Sequence, residues 1–162
     1  MNIPPFTASE AVPSNTAKAM RAISWQQMGV FYARVALGAA FLSAVADRLG
    51  LWGKPGQPNV AWGNFANFTR YAAAVNSFMP TFTIPFLAWT ATAGELSLGI
   101  ALILGIWPRW AALGSALLLA LFGTAMTISF GIKSPLDYSV FSASAGALLL
   151  ALYQTRKAAA SS

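Results

Sequence analysis

The sequence contains no cysteine and no histidine, and only four of its 162 residues are acidic. Without cysteine, the chain can form no disulfide bond and offers no thiolate nucleophile. Without cysteine or histidine, it also lacks the usual protein ligands of zinc and haem iron. We therefore predict no metal site, and no cofactor ligated by the chain's own residues.

Charge is scarce throughout the chain. Only 9% of the residues are charged and 57% are hydrophobic, whereas soluble domains carry roughly 25% charge. The apolar residues form four runs, each close to the roughly 20 residues that cross about 30 Å of hydrocarbon. These runs cover about 25–46, 83–107, 110–130 and 136–153.

A spanning segment must satisfy its backbone hydrogen bonds within itself or in a closed barrel. The run Leu117–Phe122 does not alternate between polar and apolar residues as a barrel strand would. The predicted fold is therefore an all-α integral membrane four-helix bundle, with a polar N-terminal segment over 1–24 and a tail over 155–162. Residues 1–24 lack the features of a signal peptide, so we expect the first helix to be an uncleaved anchor.

The segment between the first and second spans begins with a loop rich in glycine and proline. A helix over about 62–79 then places its apolar residues on one arc: Trp62, Phe65, Phe68, Ala72, Val75 and Met79. We expect an amphipathic interfacial helix on the membrane surface. It would serve as a cap over the bundle, or as a lid or docking surface.

Two further patterns concern helix ends and helix contacts. Ser134-Pro135-Leu136-Asp137 predicts an N-cap at Ser134 for the fourth span. Small residues recur every four positions on each span, and such stripes favour close helix packing in lipid. The stripes comprise Ala36, Ala40 and Ala44; Ala91, Glu95 and Gly99; Ala112, Ala116, Ala120 and Thr124; and Ala143, Ala147 and Ala151.

Basic residues lie mostly at the ends of the apolar runs, which is typical of topology-setting charges and of contacts with lipid headgroups rather than nucleic acid. Four spans place both termini on one side of the membrane. That side holds Lys18, Arg21, Arg109, Arg156 and Lys157, and the other holds Arg48, Lys54, Arg70 and Lys133. The positive-inside rule then predicts that both termini are cytoplasmic.

Two charges lie inside the predicted spans, Arg34 in the first and Glu95 in the second. Each costs at least about 2.5–3.5 kcal/mol near the middle of a bilayer, a cost that pairing offsets. If the ends of the two antiparallel helices are aligned, the residues differ in depth by only ~5 Å. We predict an intramembrane ion pair, either as a structural clasp or as a ligand-binding floor for a group such as a quinone headgroup, or as a proton relay.

A second polar cluster is predicted at the opposite membrane surface. It contains Asp47, Arg48 and Asp137, with Thr127, Ser129 and Lys133 nearby. These residues are either solvated helix ends or a shallow surface site. End-to-end alignment places Asp47 more than about 20 Å in depth from Glu95, too far to act with it. No catalytic residue is evident from any motif.

The order of these features resembles the DoxX family of small four-helix bacterial membrane proteins over about 28–154. The resemblance is carried by Arg34-Val-Ala-Leu-Gly38, by Glu95-Leu-Ser-Leu-Gly99 and by the turn Leu104–Gly114. It implies a multi-pass protein of the bacterial plasma membrane. Members of this family often carry histidine where this chain has 43–48 and 124–127, so the chain departs from the family there.

The family is named from a subunit of a thiosulfate:quinone oxidoreductase, and other members accompany redox or detoxification systems. The leading hypothesis is a non-catalytic accessory subunit of a larger, redox-linked assembly, in contact with lipids and with other membrane protein subunits. One alternative is a quinone-binding subunit of a membrane oxidoreductase. Another is a carrier of small molecules or lipids, although four helices enclose little room.

Overall fold

The computed structural model describes the backbone of residues 14–159 and the side chains of residues 25–156. This part of the chain is helical, without β-strands. The helices are α1 (Ser14–Arg48), α2 (Phe65–Val75), α3 (Ile84–Leu104), α4 (Pro108–Phe130), α5 (Lys133–Asp137) and α6 (Val140–Ala159), and a 3-10 turn (Thr81–Thr83) precedes α3. The predicted all-α class is therefore confirmed.

Three helical segments within the described residues are long and apolar enough to cross a membrane: Trp25–Arg48, Thr81–Leu104 and Pro108–Phe130. They lie within a few residues of the first three predicted spans. Only 17%, 28% and 33% of their residues are buried inside the protein. Because so much apolar surface faces outward, lipid and not water is the surrounding that these helices require. The four-span topology remains a prediction.

The fourth predicted span is not one continuous helix. Its first residues belong to α5, and α6 begins only at Val140. Ser139, between the two, has a left-handed backbone with a φ of 55°, and this conformation interrupts an α-helix. The predicted N-cap at Ser134 is wrong, because Ser134 lies within α5 and the residue before that helix is Ile132.

Helices α1 and α3 pack closely in antiparallel orientation, and glycines make this approach possible. A Cβ atom added to Gly38 would lie 2.9 Å from the carbonyl oxygen of Gly99, and one added to Gly99 would lie 3.0 Å from Leu42. The predicted contact stripe of α1 does not form this interface. Ala36 and Ala40 face outward, while Phe41 and Val45 are buried.

Helices α4 and α6 form the second close antiparallel pair. Here the predicted stripes are confirmed in part, since Ala112, Ala116, Ala147 and Ala151 are buried, whereas Thr124 at the end of the α4 stripe is exposed. The Ser144 hydroxyl donates to the carbonyl oxygen of Ala116 at 2.8 Å. Contacts of α3 with α4 and of α1 with α6 join the two pairs.

The short helix α2 lies against α3 and α4. It is amphipathic as predicted, although it is shorter than the predicted range 62–79. Its buried residues Phe68, Ala72 and Val75 face inward, and Phe68 and Ala72 share a cluster with Ile84 and Ala88 of α3. Its position relative to a membrane surface stays a prediction.

Hydrogen bonds stabilise both ends of α2, the first within the helix itself and the second from α4. At the N-terminus, the Asn64 side chain caps the helix by accepting from the Asn67 N–H at 2.8 Å. At the C-terminus, the Ser129 hydroxyl of α4 donates to the Val75 carbonyl oxygen at 2.6 Å and lies 3.0 Å from the Ser77 hydroxyl. The contacts with Ser129 hold the C-terminal end of α2 against α4.

Candidate functional site

A buried arginine–glutamate pair joins α1 to α3. Arg48 is the last residue of α1, and its guanidinium donates to the Thr92 hydroxyl at 3.0 Å and to Glu95 Oε1 at 2.8 Å. Arg48 is 3% exposed and Glu95 is 2% exposed. Thr92 and Glu95 share a face of α3 because they are three residues apart, so one guanidinium reaches both.

The pairing within this network is incomplete. Arg48 Nη2 lies 2.8 Å from each carboxylate oxygen of Glu95, but only the contact with Oε1 has hydrogen-bond geometry. Among the described residues, Glu95 Oε2 and Arg48 Nε have no hydrogen-bond partner. A missing hydrogen bond costs more free energy when the polar atom is buried. The attraction between the two charges is therefore partly offset by the two polar atoms that lack a hydrogen bond.

Two aromatic rings lie against the Arg48 guanidinium. The Arg48 Cζ atom lies 3.7 Å from the centroid of the Phe68 ring and 5.2 Å from that of Trp62. The faces of aromatic rings attract cations. The helix α2 therefore covers the Arg48–Glu95 pair and adds to the stabilisation of the positive charge.

The neighbouring carboxylate, Asp47, fastens the loop that leads into α2. It accepts from the backbone N–H groups of Ala61 at 2.8 Å and Gly63 at 2.9 Å, with a longer contact of 3.4 Å from Trp62. Gly63 has a φ of 67°, and a Cβ atom there would lie 2.5 Å from the Pro55 nitrogen. Glycine is therefore required at the point where the loop closes around Asp47.

The predicted pairing of Arg34 with Glu95 is wrong. Arg34 Nε donates to the Leu102 carbonyl oxygen at 2.8 Å, and Nη2 donates to the Ile103 carbonyl oxygen at 3.2 Å. These carbonyls belong to the last turn of α3, where no further helical N–H is available to them. Arg34 thus caps the C-terminus of α3 and complements the negative end of its dipole.

The reason for this error is the register of the two helices. The prediction aligned the ends of the spans, but α3 extends well past the end of α1. The segment after Arg48 folds back as a loop and α2, which packs against Ile84 and Ala88 of α3. As a result, the end of α1 lies beside Thr92 and Glu95 rather than beside the start of α3.

The same register corrects the predicted separation of Asp47 from Glu95. Asp47 is adjacent in sequence to Arg48, which contacts Glu95, so the two carboxylates belong to one region. Neither Asp47 nor Arg48 is a solvated helix end, because both are buried. Sequence reasoning missed Thr92, although its spacing from Glu95 on one helical face was a usable signal.

The structure does not bring the remaining members of the predicted surface cluster into this site. Asp137 is exposed and forms an ion pair with Lys133, four residues before it. Thr127 donates to the Gly123 carbonyl of its own helix. The Ser129 hydroxyl donates to the last residue of α2, as described above. These polar residues therefore form separate local contacts and do not form one surface site.

These features define an all-helical membrane protein in which one buried charge pair lies under a short amphipathic helix. The sequence model of the DoxX family matches residues 29–129, a range that includes α2, α3 and most of α4. The chain therefore belongs to the DoxX family. No curated protein and no solved structure matches it.

Proposed function

We propose that this DoxX-family protein is a non-catalytic accessory subunit of a larger, redox-linked assembly in the bacterial plasma membrane. In this proposal the chain crosses the membrane four times, both termini are cytoplasmic and α2 lies at the opposite interface. The redox link rests on the family resemblance. The accessory role rests on how the described chain uses its polar groups and its outer surface.

The main supporting observation is that the buried charges are engaged within the chain. Arg48 contacts Thr92 and Glu95, and Asp47 accepts from backbone amides. Meanwhile, large apolar side chains on three helices face outward, including Phe86 on α3, Leu117 on α4 and Leu149 on α6. Such a surface suits contact with lipid and with other membrane helices, and internal charge pairs suit a scaffold.

Photocrosslinking in native membranes tests this proposal. A photoreactive amino acid is placed singly at Phe86, Leu117 and Leu149, which all face outward. We expect protein crosslinks from one face to a specific partner, and only lipid adducts from the others. Phe41, which is buried in the core, serves as the control position because a phenylalanine-based photoreactive residue adds little volume there, and it should yield only internal crosslinks. Lipid adducts alone at all three exposed positions would contradict the accessory role.

A quinone-binding subunit is the second candidate, and the unpartnered atoms of the buried pair support it. A quinone oxygen could accept from Arg48 Nε, and a quinol hydroxyl could donate to Glu95 Oε2, the two atoms without partners. In this candidate role the headgroup would meet the Arg48–Glu95 pair, not the Arg34–Glu95 pair expected from the sequence, and α2 would have to move aside because both side chains are buried. A bound quinone would supply electron and proton carriage, while these residues would hold and orient its headgroup.

Quantification of bound quinone distinguishes the two candidates. The protein is purified in mild detergent, and its quinone content is measured after solvent extraction. A stoichiometric amount that falls in Glu95→Gln but not in Arg70→Gln would favour the quinone-binding role. Arg70 is a suitable control because it is exposed on the outer side of α2. Trace quinone, unchanged by either substitution, would rule that role out.

A further inference from the structure

Among residues 25–156, one end of the protein carries basic side chains without an acidic one. This basic end comprises Arg34, Arg109 and Arg156 around the α3–α4 turn. The acidic residues within 25–156 are Asp47, Glu95 and Asp137. Asp47 and Asp137 lie near the opposite end of the helices, and Glu95 lies level with the end of α1. Within the described range, no carboxylate is therefore available to the basic end.

The helix register brings the three arginines to the same end of the bundle, with Arg156 about two turns or less beyond Arg109. Arg34 is fixed at the C-terminus of α3 by its two carbonyl contacts and lies against Gly105 of the turn. Arg109 is the second residue of α4. The bond from Ser144 to Ala116 aligns α6 with α4. Arg156 is about three turns beyond Ser144, and the start of α4 is about two turns before Ala116.

Large apolar and aromatic side chains surround these charges. Leu104, Ile106, Trp107 and Trp110 are all exposed at the turn, and Trp107 is 78% exposed. The Arg109 Cζ atom lies 5.0 Å from the centroid of the Trp110 ring. Tryptophan beside arginine is typical of the headgroup level of a bilayer, where rings contact the upper acyl chains and cations contact phosphates.

The opposite end differs in the way its charges are used. Arg48 has Glu95 as its partner, and Lys133 has Asp137. Lys54 and Arg70 are exposed there without an ion pair to any described residue, but three carboxylates, Asp47, Glu95 and Asp137, lie among these cations. A negative group from outside the chain is therefore better matched to the basic end than to the opposite end.

We propose that the basic end is a binding surface for an anionic glycerophospholipid, selected over a zwitterionic one. Arginine binds phosphate oxygens through two parallel N–H groups, while the exposed leucine, isoleucine and tryptophans contact the acyl chains. The apolar part of the surface favours the lipid over free phosphate. This inference does not depend on the accessory role proposed above.

Native mass spectrometry of the full chain in mild detergent tests this inference. The protein is mixed with equal amounts of phosphatidylglycerol and phosphatidylcholine of the same acyl composition, and the bound lipids are counted. We expect a clear excess of bound phosphatidylglycerol. Each interfacial arginine contributes about five-fold to the affinity for an anionic surface, so Arg109→Gln/Arg156→Gln should reduce the preference by at least about five-fold.

The matched control is Lys54→Gln/Arg70→Gln, which removes the same number of exposed charges from the opposite end. It should keep the preference for phosphatidylglycerol. An equal loss in this control would show that net charge alone attracts the lipid, and would overturn the assigned surface. Equal binding of the two lipids by the unaltered protein would overturn it as well.

Two further measurements separate lipid binding from the binding of free phosphate and from misfolding of the variant. Excess inorganic phosphate should leave the bound phosphatidylglycerol in place, and its displacement would identify a free-anion site instead. If the double variant does not fold, as judged by circular dichroism and gel filtration, Arg156→Gln alone is used. Arg156 is exposed near the end of α6, so its replacement disturbs no packing, and an unchanged lipid preference in this variant would contradict the proposal.

Discussion

The two close helix pairs of this protein are held together by different means. Between α1 and α3, arginine side chains contact a carboxylate, a hydroxyl and helix-end carbonyls, and two glycines allow the backbones to approach. Between α4 and α6, the buried alanines fit together with one hydroxyl contact from Ser144. The second pair is held by packing and one hydrogen bond, whereas the first pair depends on several polar contacts fixed in one register.

This difference predicts that substitutions in the α1–α3 pair have the larger effects on stability. In lipid, close packing and interhelical hydrogen bonds replace the hydrophobic effect as the forces between helices. A broken charge pair leaves a buried charge, while a lost alanine contact leaves only a small defect. The four predictions that follow test this ranking by the free energy of unfolding in SDS–detergent mixtures.

The largest effect is expected for Glu95→Ala. It leaves the Arg48 charge buried without its carboxylate, and breaking such a pair costs about 3–5 kcal/mol. Arg48→Met/Glu95→Leu should recover most of the loss, because no charge then remains in the site. A loss below about 1 kcal/mol for Glu95→Ala would show that the pair does not stabilise the protein.

The second prediction concerns Gly38→Ala, for which we expect a loss of about 2 kcal/mol from overpacking. The added methyl group would meet the Gly99 backbone, which cannot rotate away. Gly123→Ala meets the edge of the Phe141 ring instead, so its loss should be smaller.

Gly146→Ala is the control for these glycine substitutions. Its new methyl group has no neighbour within 4 Å, and it should gain up to about 1 kcal/mol from helix propensity. Equal losses at Gly38 and Gly123 would remove the contrast between the two helix pairs.

Arg34→Gln is the third prediction, with an expected loss of about 1.5 kcal/mol. This is the lower end of the range for charged hydrogen bonds, since Arg34 is half-buried. Arg34→Lys should lose less because an ammonium group still complements the helix dipole. If both variants unfold with the free energy of the unaltered protein, Arg34 does not stabilise the end of α3.

The smallest effect is expected for Ser144→Ala in the α4–α6 pair. It removes the single hydrogen bond to the Ala116 carbonyl, and such bonds between membrane helices contribute about 0.6 kcal/mol on average. A loss above about 2 kcal/mol would exceed what such bonds contribute. It would show that the α4–α6 pair depends on polar contacts as strongly as the α1–α3 pair does.

The sequence predicted the first three spans to within a few residues, because each of these apolar runs has the length that a membrane requires. The start of α4 at Pro108 agrees with the preference of proline for the first helical turn. The amphipathic character of α2 also followed from residue spacing. These are local properties, and a single segment contains all the information they need.

The candidate site was predicted only in part, because it depends on how far one helix extends past another. Lengths of apolar runs do not contain that information. The glycines did contain a usable signal, since aligning Gly38 with Gly99 places Arg34 near Ile103, as observed. Alanine stripes were less reliable, because alanine suits both a helix contact and a surface facing outward.

The adjacent positions of Asp47 and Arg48 have a consequence for biogenesis. Arg48 finds its partners on α3, and Asp47 finds its partners in the loop before α2, all of which are synthesised later than α1. In the folded protein, the two charges at the end of α1 bind groups that follow in the sequence, as far as Glu95. We therefore expect these contacts to form only after α3 has been inserted beside α1, as in a bundle that assembles from separately inserted helices.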